Sequence, residues 1–542
     1  MQDLTRRVSA HRCGATNRLA AAQWWVLVAT AVVTPLAFST WTIDVFNLTA
    51  LTVLWLGVIV AIGLEIAQGA AGMRTRSRIW VVVAAYVGIL ALTTATSRAP
   101  VVSLLGNYGR YGGVATTLPA IAAAWLLVGH LAGSPRRQRQ LAGALVVSAA
   151  AGAVYLWAQQ RGVDAFAWLE PWRTRPRHPP GALGNSNFSG AHIALAAGPA
   201  AYLAITTTGR RRVAWTATGI LVLSGVAVSQ SRGAMMAAAV ALIAIAVTSS
   251  TRRSLITAGA IGAMVIIAAL ALSANEGGIE ELLGATTWDE RVNLWEVALE
   301  GAADRPVLGG GPDLYTLTFA EHASTSLAGV VSNEPHNVLL DQLDGSGFVG
   351  AAAWLSVVAG LVWLALHSGD RRSLPPWSAM GLAYLAQAMV SIDVVPLQLW
   401  GWVAAAGVVA VAEPGLARRD RDIGRGAAPV APAVRCVTGL VTAIVLGVLA
   451  VGPFRADMAH RRGIEASNAG NDARAIAQLR QATDRHDWEP RFHRRLGIQL
   501  SLAADRTSDP ELLAEARAEL DRALDLLPND RVATEWRDAL DD

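Results

Sequence analysis

Lysine is absent from the 542-residue chain, so all 45 of its basic side chains are arginines. Arginine's planar fork suits phosphate and carboxylate oxygens better than a point-charge ammonium does. Cysteine is almost as scarce. Cys13 and Cys436 lie far apart and, by the topology below, both near one side of a membrane, which argues against a structural disulfide. Charged residues make up only 16% of the chain against 53% hydrophobic ones, a balance that fits a polytopic membrane protein and excludes an ordinary soluble one. No Walker loop or dinucleotide fingerprint sits in a credible strand–helix setting. Asp420-Arg421-Asp422 has the Asp-x-Asp spacing of nucleotide-sugar enzymes, but it lies in an arginine-rich linker and reads as a solvated charge run. The sequence therefore points to no cofactor, no metal and no nucleic-acid partner.

What the chain has in quantity is apolar runs, roughly thirteen of them suited to a bilayer core of about 30 Å. They fall at Ala21–Phe38, Leu48–Ala67, Ile79–Thr93, Val114–Leu131, Leu141–Ala158, Ser189–Ile205, Val213–Val228, Gly233–Val247, Leu255–Ser273, Phe348–Leu366, Ser378–Ile392, Leu397–Val411 and Val434–Val451. Charge in the connections tests this division. Arginine clusters at Arg74/Arg76/Arg78, Arg136/Arg137/Arg139, Arg210/Arg211/Arg212, Arg252/Arg253, Arg371/Arg372 and Arg418/Arg419/Arg421/Arg425 fall in every second connection. The positive-inside rule puts these in the cytoplasm together with the N-terminal tail 1–20. No clear small-residue cleavage site follows Trp24–Phe38, so the first run reads as a retained span. The expected organisation is a membrane domain over 21–452, a large outer loop at 274–347, and an outer C-terminal region over 453–542.

That C-terminal region turns charged and amphipathic. Ala473–Thr483, Phe492–Ala504 and Leu512–Leu527 read as helices, with Asp487-Trp488-Glu489-Pro490 and Leu527-Pro528-Asn529-Asp530 closing the units. Small residues at helical spacing and Pro-containing turns resemble tetratricopeptide repeats, with an insertion at Arg506–Pro510. Such a module is a packing or partner-binding surface.

The outer loop carries the densest polar chemistry. Thr287 and Glu290 have capping-box spacing, so a helix should start near Trp288 and place Arg291 and Trp295 on one face. Asp304-Arg305-Pro306 should stop it, and Gly309–Gly311 should turn the chain. Pro335 suits the first turn of a further helix bearing His336, with Asn337, Asp341 and Asp344 as a polar stripe, broken by Gly345-Ser346-Gly347 before the span at Phe348. A half-helix ending in glycines at membrane depth needs a polar cavity beside it. A neutral imidazole there could take a proton from a hydroxyl. Three further outward connections hold arginines: Arg232 in the tight turn Ser229–Gly233, Arg98 and Arg110, and Arg173, Arg175 and Arg177. Arginines gathered on the outer side run against the positive-inside bias. A diphosphate-bearing ligand supplies a cause, because guanidinium forks bind its oxygens. Anchoring to phospholipid head groups is the plainer alternative.

Four ordered pieces resemble the O-antigen ligase/polymerase superfamily. They are Gly184-Asn185-Ser186-Asn187, the Ser229–Ala234 turn, Arg291-x-x-x-Trp295 leading to Pro306-x-x-Gly309-x-Gly311, and His336-Asn337-x-x-Leu340. The resemblance implies an all-α polytopic membrane fold of about 12–13 spans, of the GT-C-like O-antigen ligase architecture. It also implies transfer of a glycan from an isoprenoid-diphosphate donor to an acceptor hydroxyl outside the cytoplasmic membrane, with inversion and without nucleotide. His336 would then be the base, and Arg232 and Arg291 would hold the diphosphate. Arg110, Arg177, Asn185, Asn187, Trp295, Asn337 and Asp341 would bind substrate. The acceptor stays open among lipid, glycan and protein, since ligases, polymerases and protein O-oligosaccharyltransferases share this core. The bilayer and a protein partner for the repeats complete the expected partners. A transporter or flippase is the rival from another class. It should carry ionisable groups in mid-span, where this chain offers little beyond Gln387 and His192, with Glu65 nearer an end.

Overall fold

The computed structural model describes residues 2–69, 77–166, 178–248, 286–323, 332–416 and 431–541. Among these every regular element is a helix. Among the described residues nine helical stretches, Ser186–Thr206 counted as one, are long and apolar enough to cross a membrane, and Ile79–Ala95 and Arg232–Thr248 are shorter apolar ones. Twelve of the expected spans coincide with these helices or with Pro375–Ala388. The expected span Leu255–Ser273 lies outside the described residues. Ser189–Ile205 is two helices rather than one, Ser186–Leu195 and Ala197–Thr206, meeting at Ala196.

Among the described residues, polar contacts gather at two ends of the bundle. At one end Asn47 Nδ2 donates to Gly109 O (2.7 Å), and the Asn107 amide donates to Asp313 Oδ2 (2.6 Å). At the other, Ser77 Oγ donates to Glu413 (2.9 Å), and Gln23 reaches Glu65 (3.0 Å). Between them the packing uses small residues where helices must approach closely. A Cβ on Gly63 would lie 2.7 Å from Gly439 O, so the helices Asn47–Gln68 and Pro432–Asn468 touch backbone to backbone. Trp377 and Trp400 fill the centre, and Trp400 Nε1 donates to Ala31 O (2.8 Å).

The feature that shapes the polar end is a break in the helix Val338–His367. Gly347 is non-helical there (φ 62°, ψ −172°), which divides the helix near Phe348 as the glycines predict. The carbonyls freed by the break are claimed by the Gly309–Gly311 segment. Gly310 N–H donates to Asp344 O and Gly311 N–H to Gly345 O, both at 2.9 Å, and Phe348 N–H donates back to Pro306 O (2.8 Å). Side chains would prevent this approach: a Cβ on Gly309 would sit 2.5 Å from Asp344 O, and one on Gly347 2.2 Å from Val307 O. The glycines are thus a backbone-to-backbone seam more than a turn.

Two expectations about helix starts are corrected. His336 is not on a helix, because Asn337 takes the N-cap: its side chain accepts from Leu339 N–H (3.0 Å) and Leu340 N–H (3.2 Å). In the tail, Pro490 opens a helix rather than closing a unit, and Pro510, expected within an insertion, opens one too. Proline fits a first turn, where its missing N–H costs nothing, and Glu489 and Asp509 cap just before. The stretch Arg506–Pro510 is the end of one helix, a left-handed Ser508 and the start of the next.

The tail grows directly from the membrane region. The helix Pro432–Asn468 runs unbroken across the 452/453 division, and Asp472–Arg485, Pro490–Thr507, Pro510–Leu526 and Arg531–Asp538 follow. It also folds back onto the polar end. Asp457 accepts from the Ile43 amide (2.7 Å) and the Tyr108 hydroxyl (2.5 Å), Arg491 lies over the Tyr108 ring (4.6 Å), and Leu527 joins Ala99, Val102, Leu314 and Leu317 in one buried cluster.

Replacing Gly347 by Ala should lower thermal stability in detergent by at least roughly 1–3 kcal/mol, the cost of backbone strain. Gly369→Ala, where a Cβ meets nothing within 4 Å, is the control and should change little. Equal melting of the two variants would contradict the seam.

Candidate functional site

At the polar end a buried guanidinium collects acidic groups from distant segments. Arg110 follows a turn in which Gly109 and Tyr111 are left-handed (φ 88° and 54°), and Asp313 holds that turn by accepting from Asn107 N–H and Gly112 N–H (2.6 and 2.8 Å). Arg110 pairs with Asp313 (2.8 Å), Glu334 (2.7 Å) and Asp341 (2.8 Å), and Nη1 also donates to Asn333 O (3.3 Å). Glu334 extends the network: its Oε1 accepts from the Asp393 amide (3.3 Å), and Tyr384 OH donates to Asp393 Oδ2 (2.7 Å).

One cation against four carboxylates in a buried site has electrostatic consequences. Burial opposes the charge of Arg110, but Asp341, Glu334 and Asp313 outweigh it and hold its pKa well above normal. Burial pushes Asp313 up to about 6 against the pull of Arg110. It raises Glu334 well above the usual carboxylate range, and Asp393 to about 7. Burial thus favours the protonated form at Glu334 and Asp393 more than at Asp313, while Arg110 stays charged.

His336 sits inside the span this clamp closes, between Glu334 and Asp341. Its backbone is left-handed (φ 57°), a conformation uncommon outside glycine, and Pro335 on one side and the Asn337 cap on the other hold it there. Its Nδ1 lies 3.2 Å from Glu334 O. A carbonyl can only accept, so Nδ1 carries the hydrogen and Nε2 the lone pair. Burial, then the charges of Arg291 and Arg110, lower its pKa against the raising effect of that hydrogen bond, which leaves a neutral imidazole able to accept a proton at neutral pH.

The two other arginines arrive from separate elements. Arg232 opens the helix Arg232–Thr248 after a turn in which Gln230 is left-handed (φ 52°) and Ser231 Oγ accepts from Ala234 N–H (3.2 Å). Its side chain is exposed. Arg291 lies on the helix Thr286–Asp304, which Leu294, Val297 and Ala298 seat against Tyr315 and Phe319. Its pKa is lowered by burial and then by the charge of Arg232. The charge of Arg232 thus bears on Arg291, and that of Arg291 on His336.

The remaining expected site residues divide. Trp295 is half-buried one turn beyond Arg291. Asn337 and Asn185 are helix caps, Asn185 accepting from Asn187 N–H (2.8 Å), and Asn185 and Asn187 are both exposed. Asp341 is committed to Arg110, whose terminal nitrogens are all taken up by protein groups. Arg177 lies outside the described residues. Sequence reasoning missed Asp313, Asp393 and the role of Glu334. Each is a lone acidic residue in a short connection, and only the fold reveals their common partner.

A cavity of about 530 Å³ starts at this cluster, where Arg110, Asp341 and Asp393 line it. It continues between apolar helices past Trp354, Trp377 and Trp402. Among the described residues no group of three or more His, Cys, Asp or Glu could hold a metal ion.

The fold and this site define a multi-pass helical membrane protein with an imidazole, arginines and buried carboxylates gathered at one end. Residues 217–355 match a family model described as O-antigen ligase, and that stretch contains Arg232, Arg291, the glycine seam, His336 and Asp341. Neither the curated proteins nor the solved structures include a match to the chain. The family match stops short of the tail, so the likeness to tetratricopeptide repeats gains nothing from it.

The electrostatics make a direct prediction. In an NMR titration of histidine-labelled protein, His336 should titrate below the ordinary value of about 6.5. Arg291→Gln removes a neighbouring positive charge and should move that midpoint upward. A midpoint at or above 6.5, or one indifferent to Arg291, would contradict the coupling.

Proposed function

We propose that the protein is an inverting membrane glycosyltransferase of the O-antigen ligase type. It moves a glycan from an isoprenoid-diphosphate donor to an acceptor hydroxyl. One observation carries the reading: Arg232, Arg291 and His336 come from three separated segments of the family-matched stretch, and the charge of Arg232 bears on Arg291 as that of Arg291 does on His336.

The chemistry follows from those groups. His336 Nε2 removes the acceptor proton as the hydroxyl oxygen attacks the anomeric carbon from the face opposite the diphosphate, which inverts that centre. The bond from the anomeric carbon to the diphosphate oxygen breaks, and its electron pair leaves with the diphosphate. Negative charge grows there, and the guanidinium groups of Arg232 and Arg291 stabilise it through charge-assisted hydrogen bonds. Arg110, already occupied by carboxylates, acts as a positioning residue that fixes the segment bearing His336. The apolar part of the large cavity suits an isoprenoid chain. By the positive-inside pattern the site faces away from the cytoplasm and the C-terminal tail lies on the same side. The acceptor enters the mechanism only as a hydroxyl; ligase, polymerase and protein O-oligosaccharyltransferase differ in what carries it.

His336→Ala should reduce transfer by about 10²–10⁴-fold, the usual contribution of a general base. In cells, the inserted variant should lose surface glycan while the lipid-linked precursor accumulates. Unchanged surface glycan with a normal precursor pool would overturn the assignment.

A further inference from the structure

A second cavity, of about 270 Å³, opens beside the Thr286–Asp304 helix and shares no lining residue with the larger one. Arg98, Arg305, Thr318, Glu321, His322 and Asp344 face it. Its floor is helix backbone at Gly301, where a Cβ would fall 2.2 Å from Thr318 Cγ2 and 2.6 Å from Asp344 Oδ1. Asp344 is buried, and Thr318 Oγ1 donates to its Oδ1 (2.9 Å). Arg98 forks onto Glu321, which also accepts from Asn529 Nδ2 of the tail (3.0 Å). His322 Nε2 lies 3.0 Å from Asp304. The tail therefore ties down one wall of this pocket.

The lining selects a ligand class. Two guanidinium groups and an imidazole face three carboxylates, so an anion such as free phosphate meets as much repulsion as attraction. A metal ion lacks a ligand set, since no suitable group of three occurs among the described residues. An apolar chain would strand the charges. A neutral polyol fits, because each hydroxyl can donate to a carboxylate and accept from a guanidinium. The volume lies just below the roughly 300–1,000 Å³ of ordinary small-molecule sites, room for about one sugar ring. The pocket also lies at a suitable remove. Gly301 is about ten positions along the helix from Arg291, roughly 15 Å at 1.5 Å per residue.

We propose that this pocket is a saccharide subsite, which grips a sugar distal to the reacting one in the glycan handled at His336. This rests on the transferase reading, but its test does not require transfer. The full chain is purified in detergent, and oligosaccharides released by mild acid from the cells' own lipid-linked pool are titrated against it. Wild type should bind these fragments, and saturating inorganic diphosphate should not displace them. His322→Ala and Arg305→Ala trim the partly exposed rim and leave the buried framework in place. Each should weaken binding about tenfold or more, the scale of one charge-assisted hydrogen bond. Fragments that fail to bind, that leave with diphosphate, or that bind both variants as tightly as wild type would overturn the subsite. Failure of the transferase reading would appear elsewhere, in the precursor pool of His336→Ala cells.

Discussion

The polar end of this protein depends on one buried guanidinium. Arg110 contributes a single positive charge to a site that also receives Asp313 from one stretch of chain and Glu334 and Asp341 from another. Burying four ionisable groups is expensive, and such clusters seldom add net stability over an apolar equivalent. They do impose an arrangement, because losing one partner leaves the others charged and dry, at about 3–5 kcal/mol. The arrangement imposed here is the path of residues 333–341. Arg110 grips that path at Asn333 and Glu334 on one side and at Asp341 on the other, with His336 between. A left-handed non-glycine residue persists only where its surroundings over-determine it, and this clamp together with the Asn337 cap does so.

The glycine seam works in the same direction. Breaking a helix at membrane depth frees carbonyls that lipid cannot satisfy. Gly309–Gly311 supplies the missing donors, which ties the end of the Thr286–Asp304 helix, and hence Arg291, to the half-helix that follows His336. The tail adds a third constraint by holding Tyr108 through Asp457 and Glu321 through Asn529. Arg232 belongs to a separate element and follows a tight turn whose cap is its neighbour Ser231.

Much of this was legible in the chain itself. Hydrophobic runs are local signals, and they were enough to place twelve of the expected spans. The motif residues Arg232, Arg291 and His336 could be picked out because each stands in a short, ordered pattern. What could not be read was partnership over distance. Arg110 looked like a diphosphate ligand because an outward arginine needs a counter-charge, and nothing local says that the counter-charges are residues more than two hundred positions away. The N-caps were a different kind of error. Asn337 before Val-Leu-Leu-Asp, and the Glu489-Pro490 and Asp509-Pro510 pairs, carry helix-start signals. At Asn337 and Glu489 a proline weighed more heavily than the cap beside it, and at Asp509 an expected insertion hid the cap. The helix Arg531–Asp538 went unread although Asp530 caps it with two hydrogen bonds.

The central claim is that guanidinium groups from two separate elements grip one diphosphate beside His336. A double-mutant cycle on the affinity for an isoprenyl diphosphate tests it most directly, using wild type, Arg232→Gln, Arg291→Gln and the double variant. A shared ligand should give a coupling energy of about 0.5–3 kcal/mol between the two substitutions. Losses that simply add, to within about 0.5 kcal/mol, would mean that the two arginines do not act on the same group.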